Sequence, residues 1–227
     1  MFDGRFRVPF ERAVKPVGNG LRRTGLSPDH LTIIGLVVAV AAAVVIGTGH
    51  LIGGFLLVVL AAVPDLLDGA LAKASGAASQ RGAFFDSVAD RVTDALLFGG
   101  VAWYVGGRYG AHAVMVPLAV LALSSLISYQ RAKAESLGLS AKGGIMERAE
   151  RIIVLCFGLV FNSILMPTLW VMLALSAVTA VQRFVKVWNQ AIAAPVVIER
   201  RVLRRTRRTA RHAATLTGRT ELRRRRP

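Results

Sequence analysis

Cysteine is all but absent from this chain: Cys156 stands alone, in an apolar stretch. A lone thiol excludes an intramolecular disulfide and a multi-cysteine metal site, and its surroundings assign it to packing. Acids are scarce too, with 13 Asp and Glu against 29 Lys and Arg and a formal net charge of +16. The basic first thirty residues lack a compact apolar core before Leu31, so no secretory signal peptide is expected there. Internal repeats are lacking as well.

Apolar residues are abundant. Hydrophobic residues make up 54% of the 227, and the mean hydropathy is +0.52. Such hydropathy exceeds that of an ordinary soluble domain, and it coexists with high charge only if the two are segregated, as in a bundle of membrane helices with basic ends. Six apolar stretches run roughly over 31–49, 51–72, 83–105, 111–129, 152–165 and 167–188. A membrane-crossing helix needs about 20 residues, so the expected fold is an all-α integral membrane protein with six transmembrane helices. Gly49-His50, Gly106-Gly107, Gly143-Gly144 and Asn162-Ser163 punctuate the breaks. Ala39, Ala43 and Gly47 recur at a spacing that lets helices approach closely.

Basic residues orient the bundle. Arg5, Arg7, Arg12, Lys15, Arg22 and Arg23 precede the first stretch, Lys73 and Arg81 join the second to the third, and Arg131, Lys133, Lys142, Arg148 and Arg151 lie around the fourth connection. The opposite connections carry only Arg108. The positive-inside rule then puts both termini in the cytoplasm. Residues 1–30 read as an N-terminal interfacial segment, apolar and basic residues alternating along it. Residues 31–188 form the six-helix domain, and 189–227 a basic tail, including Arg223 to Arg226, suited to anionic lipid headgroups. Nucleic acid is not expected as a partner, because a basic tail on a membrane bundle is a weak signal for it.

Five aspartates stand inside the second and third apolar stretches: Asp65, Asp68, Asp86, Asp90 and Asp94. A charged carboxylate at the centre of a membrane helix costs about 2.5–3.5 kcal/mol even on the mildest scale, and such residues mark function. Asp65 and Asp68 share a helix face at i,i+3, as do Asp86 and Asp90 at i,i+4. The short link from Lys73 to Gly82 forces an antiparallel hairpin that brings the two pairs to similar depth, about 6–12 Å in at 1.5 Å per residue. Four facing carboxylates require cations. Hard oxygen ligands favour Mg²⁺, Mn²⁺ or Ca²⁺, and two carboxylate-bridged metals suit displacement at phosphorus. The bland alternative pairs these acids with Arg91, Lys73 and Arg81, but three bases leave acids in excess. For Asp94, pairing with Arg91 or a neighbouring helix competes with metal ligation.

The run Asp65-Leu-Leu-Asp68-Gly69-Ala-Leu-Ala72-Lys73, then eight residues, Gly82, three residues, Asp86, three residues and Asp90 resembles the signature of the CDP-alcohol phosphotransferase family. One position departs: Lys73 stands where the family usually has Arg, offering a phosphate a point charge without the bidentate fork. The resemblance implies that Asp65, Asp68 and Asp86 hold one metal, Mg²⁺ or Mn²⁺, and that Asp65, Asp86 and Asp90 hold a second. It makes Asp90 the catalytic base. It further implies that Gly69, Lys73 and Ser79, helped by Asp29, His30, Leu31 and Thr32, contact the CDP moiety of CDP-diacylglycerol, and that the protein is a homodimer.

Arg131, Lys133, Arg148, Arg151 and Arg183 gather at the ends of the later helices on the aspartate side. Membrane orientation alone accounts for basic residues there, but a basic pocket also suits an acceptor carrying its own phosphate. Ile127-Ser128-Tyr129-Gln-Arg131-Ala-Lys133-Ala-Glu135, Glu147-Arg148-Ala-Glu150-Arg151 and Val181-Gln182-Arg183 resemble segments of the bacterial phosphatidylinositol-phosphate synthases. That branch of the family joins CDP-diacylglycerol to inositol 1-phosphate. By this resemblance Ser128, Arg131, Arg151 and Arg183 hold the acceptor phosphate, in a multi-pass cell-membrane enzyme whose active site opens to the cytoplasm. A phosphatidylglycerol-phosphate synthase using glycerol 3-phosphate is the alternative acceptor reading. A divalent-cation transporter is the rival from another class, and it predicts acids near the midplane.

Overall fold

Every regular element among the described residues, 28–62 and 79–193 of a computed structural model, is helical. The elements are α1 (Pro28–Gly47), α2 (Leu51–Ala62), α3 (Gln80–Tyr109), α4 (Met115–Ser136), α5 (Arg148–Val160) and α6 (Leu165–Ala193). Single 3₁₀ turns, Ala111–Val114 and Asn162–Ile164, lead into α4 and α6. The interfacial segment before Pro28, Asp65, Asp68, Gly69, Lys73 and the tail beyond Ala193 lie outside the described residues.

The expectation of six transmembrane helices is corrected. Among the described residues, three stretches are long and apolar enough to cross a membrane: Asp29–Gly47, Ala111–Ser136 and Asn162–Ala193. The expected third span folds as α3, whose 30 residues suffice in length, but Arg81, Asp86, Asp90, Arg91 and Asp94 crowd its first half and Arg108 its end. The expected fifth span folds as α5, only 13 residues, or about 20 Å at 1.5 Å per residue against a hydrocarbon core of about 30 Å. The expected second span is represented by the shorter apolar helix Leu51–Ala62. The fold remains an all-α membrane protein.

The chain divides into two units, Met1–Val185 and Lys186–Pro227, with the boundary inside α6. In the second unit the described residues continue the helix, and Gln190 Nε2 donates to the Lys186 carbonyl at 3.2 Å.

In the first unit, α1 runs alongside α3 in the same direction. The small-residue stripe makes this possible: Ala39 is fully buried, and a Cβ at Gly100 would stand 2.7 Å from Ala43 Cα. Gly100 therefore allows two backbones to meet where any side chain would separate them. Higher along the same contact, Gly47 lies against the Trp103 ring. Phe98 and Val101 of α3 join Ile46 of α1, Leu155 of α5 and Leu169 of α6 in one buried core. The opposite face of α1 is apolar and exposed, with Val37 at 64% and Val44 at 49%. An apolar helix with an exposed apolar face is matched to lipid rather than to water.

Candidate active site

Where α3 begins, Ser79 caps the helix: its Oγ accepts from the Gly82 N–H at 3.0 Å, in extended backbone geometry. That bond satisfies one of the four amides a helix start leaves open. The Ser79 hydroxyl, expected at the CDP moiety, thus already has a helix-capping contact. Arg81 reaches back to the start of α1, its Nη2 3.2 Å from Asp29 Oδ2. This exposed pair ties the first turn of α3 to the first turn of α1, where Leu31 and Thr32 are buried and His30 is exposed.

Asp86 and Asp90 follow, one turn apart on α3 and both half-buried. Asp90 Oδ1 lies 2.9 Å from Arg148 Nη1, and its Oδ2 is 3.6 Å from Arg91 Nη2. One turn deeper, Asp94 is 2% exposed. Its Oδ2 takes a hydrogen bond from Arg151 Nη2 at 3.1 Å and lies 4.0 Å from Arg91 Nη1. Its Oδ1 stands 3.8 Å from Arg148 Nε. Thus Asp90 and Asp94 on α3 are matched by Arg148 and Arg151 on α5, acids at i,i+4 against bases at i,i+3. The open question over Asp94 is answered by ion pairing, with Arg151 of a neighbouring helix as the principal partner.

Arg151 is itself buried, at 2% exposure. Its Nη1 donates to the Met146 carbonyl at 3.3 Å, while its Nε has no hydrogen-bond acceptor. Arg91 Nη1 also donates to Ser128 Oγ, and the Ser128 hydroxyl donates in turn to the Ser124 carbonyl at 2.9 Å. Ser128 of α4 is thereby linked through Arg91 to the aspartates.

The loop between α4 and α5 is fastened to α6. Arg183 Nε donates to the Gly143 carbonyl at 3.0 Å, Nη1 to the Ile127 carbonyl at 3.2 Å, and Nη2 to Glu147 Oε1 at 2.7 Å. Thr179 Oγ1 accepts from the Met146 N–H at 3.0 Å. Gly143, at φ 94°, and Gly144, at φ 153°, take backbone conformations that other residues rarely adopt, and so deliver this loop to α6. Arg131, exposed on α4, pairs with Glu135 one turn along, Nε to Oε1 3.0 Å.

A cleft lined by Thr32, Gly35, Leu36, Ala61, Ala89, Thr93 and Arg148 runs beside these charges. It joins Thr32, an expected CDP contact, to the arginine that holds Asp90. The carboxylates of Asp86 and Asp90 are hard donors of the kind Mg²⁺ and Mn²⁺ prefer. Among the described residues no group of three His, Cys, Asp or Glu side chains gathers to hold a metal. Asp65 and Asp68, the other half of the expected set, lie outside those residues. Sequence reasoning missed the contacts of Arg148 with Asp90 and of Arg151 with Asp94. The available signal was the Arg148–Arg151 spacing at the head of α5, complementary to that of Asp90 and Asp94.

Comparison with known proteins defines the class. Residues 26–199 match the CDP-alcohol phosphatidyltransferase family model, and the chain belongs to that family. It is an enzyme of the CDP-alcohol phosphatidyltransferase class. Among individual proteins it is similar to the phosphatidylinositol phosphate synthase of Mycobacteroides abscessus, 37% identical over 185 residues, which are 78% of this chain and 84% of that one. It is also similar to the phosphatidylinositol phosphate synthase of Streptomyces avermitilis, 36% identical over 205 residues, 84% of each chain. The fold resembles the crystal structure of the Mycobacterium tuberculosis phosphatidylinositol phosphate synthase with CDP-DAG bound, at TM-score 0.73 and 34% identity, covering 78% of this chain and 94% of that one. The same synthase in complex with manganese and citrate matches at TM-score 0.71, covering 77% and 88%.

Proposed function

We propose that this phosphatidyltransferase moves the phosphatidyl group of CDP-diacylglycerol onto inositol 1-phosphate, releasing CMP and forming phosphatidylinositol phosphate. One observation supports the reading of the site: α5 lies against α3 through Arg148–Asp90 and Arg151–Asp94, so Arg151, the acceptor-phosphate candidate, stands one helix turn from the arginine that pairs with the proposed base. The choice of inositol 1-phosphate is supported by similarity to phosphatidylinositol phosphate synthases over most of their length.

Asp90 takes the proton of the attacking hydroxyl. The acceptor oxygen then bonds to the phosphorus bearing diacylglycerol as the bond to CMP breaks. Asp65, Asp68, Asp86 and Asp90 would hold two divalent ions, Mg²⁺ or Mn²⁺, whose charge would offset that developing on the nucleotide; manganese accompanies the tuberculosis synthase in one structure. Gly69, Lys73 and Ser79, with Asp29, His30, Leu31 and Thr32, bind the CDP moiety. Ser128, Arg131, Arg151 and Arg183 receive the acceptor phosphate. The site opens to the cytoplasm, where a polar acceptor arrives while the lipid tails stay in the bilayer, and the enzyme works as a homodimer.

The test is direct. Purified protein is given CDP-diacylglycerol, magnesium or manganese, and separately inositol 1-phosphate, free inositol, glycerol 3-phosphate or serine, with CMP and lipid products resolved. Conversion of inositol 1-phosphate and not of free inositol is expected. If only glycerol 3-phosphate is consumed, the chemistry stands and the acceptor is wrong. Preference for serine or free inositol would leave these arginines with no role at an acceptor phosphate.

A further inference from the structure

Asp94 lies one turn deeper than the proposed base and belongs to none of the proposed metal, CDP or acceptor contacts. Yet it is the most enclosed carboxylate among the described residues, at 2% exposure. Three guanidinium groups converge on it: Arg151 at 3.1 Å, Arg148 at 3.8 Å and Arg91 at 4.0 Å. Each of those arginines also reaches something else. Arg148 contacts Asp90, Arg91 donates to Ser128, and Arg151 holds the Met146 carbonyl. A buried carboxylate is tolerated only when paired, and this one is paired to side chains from two helices. The arginines reach around it into the site.

We infer that Asp94 is a positioning residue for acceptor specificity: it fixes Arg151 on α5 relative to Asp90 one turn away on α3. This rests on the assignment of Arg151 to the acceptor phosphate. The Asp94–Arg151 bond joins α3 to α5, so it sets the position of the acceptor's phosphate against the base that deprotonates its hydroxyl. A misplacement of the order of 1 Å at a reacting centre costs about 100-fold in rate.

The experiment compares Asp94→Asn, Asp94→Glu, Arg151→Gln and the Asp94→Asn/Arg151→Gln double variant in the full-length enzyme. CMP release gives the KM for inositol 1-phosphate, the KM for CDP-diacylglycerol and kcat, and thermal unfolding gives Tm. Each single variant is expected to raise the acceptor KM at least tenfold and to leave the CDP-diacylglycerol KM within twofold. Asp94→Glu keeps the charge and displaces the carboxylate, so it tests position even if Asp94→Asn does not fold. The double variant removes both members of a buried pair, so it should recover Tm lost by Asp94→Asn while its acceptor KM stays as high as that of Arg151→Gln. A lowered Tm with a normal acceptor KM in Asp94→Asn would reduce Asp94 to a stability role and overturn the inference. So would a normal acceptor KM in Asp94→Glu when Arg151→Gln is impaired. A normal acceptor KM in Arg151→Gln removes instead the acceptor assignment on which the inference rests.

Discussion

Asp90 and Asp94 are the same residue type on the same helix, one turn apart, yet their surroundings differ. Asp90 keeps 20% of its side chain exposed and shares Arg148 and Arg91, open enough to meet a substrate hydroxyl. Asp94 is buried, with Oδ2 bonded to Arg151, and with Arg148 and Arg91 within 4.0 Å. Replacing Asp90 by Asn should therefore lower turnover by about 10²–10⁴-fold, the usual contribution of a positioned base, with Tm little changed; CMP release and thermal unfolding measure the two. Asp65→Asn, Asp68→Asn and Asp86→Asn should lose most turnover as well, and so should the wild-type protein in EDTA. Near-normal rates in EDTA would sink the metal assignment. Arg183 invites a different experiment, because its three donors hold the Gly143 and Ile127 carbonyls and Glu147. Arg183→Ala takes away the donor to the Gly143 carbonyl, at about 1–3 kcal/mol if water does not reach it, and the ion pair with Glu147. A fall in Tm should accompany any loss of acceptor affinity, whereas Arg183→Lys should recover part of the Tm.

At the scale of elements, α3 is where apolar patterning and charge conflict. Its second half packs Leu97, Phe98 and Val101 into the core, while its first half carries the aspartates. Reading the stretch by its apolar residues predicts a span; the charges deny it the apolar continuity of α1 or α6. The close packing of α1 on α3 depends on Gly100, and a Cβ there would strike the backbone of α1, which cannot rotate away as a side chain can. Gly100→Leu should destabilise by about 1–3 kcal/mol, the usual cost of overpacking, read as a lower Tm in detergent. It should also lower turnover, since separating α1 from α3 displaces Thr32 from Arg148 across the cleft. An unchanged Tm would mean the two helices part without cost. The stripe of Ala39, Ala43 and Gly47 was legible beforehand because small residues at helical spacing have few other uses. Their partners Gly100 and Trp103 were not, since glycine and tryptophan are both common in membrane helices for unrelated reasons.

For the whole molecule, the asymmetry of Lys and Arg between alternate connections predicts which side faces the cytoplasm. Cys156 as the sole cysteine makes this easy to check. In a Cys156→Ala background, single cysteines placed at Ser140 and at Thr48 should be labelled from opposite sides by an impermeant thiol reagent, Ser140→Cys from the cytoplasm and Thr48→Cys from outside. Labelling of both from one side would refute the orientation and, with it, delivery of the acceptor from the cytoplasm.

The sequence by itself determined the helical membrane class, the aspartate signature and the family, because hydropathy, charge asymmetry and short motif spacing are local properties that survive without coordinates. It also supplied both halves of the ion-pair network, as Asp90 and Asp94 in one segment and Arg148 and Arg151 in another. Only the tertiary structure decided that these segments meet, that Asp94 belongs to Arg151, and that Arg183 holds the loop before α5 rather than standing open. Those pairings join residues 36–58 positions apart, and attraction between charges carries no record of chain order. Any of several arginines could have answered each aspartate until the packing of α3 against α5 brought Arg148 and Arg151 within reach.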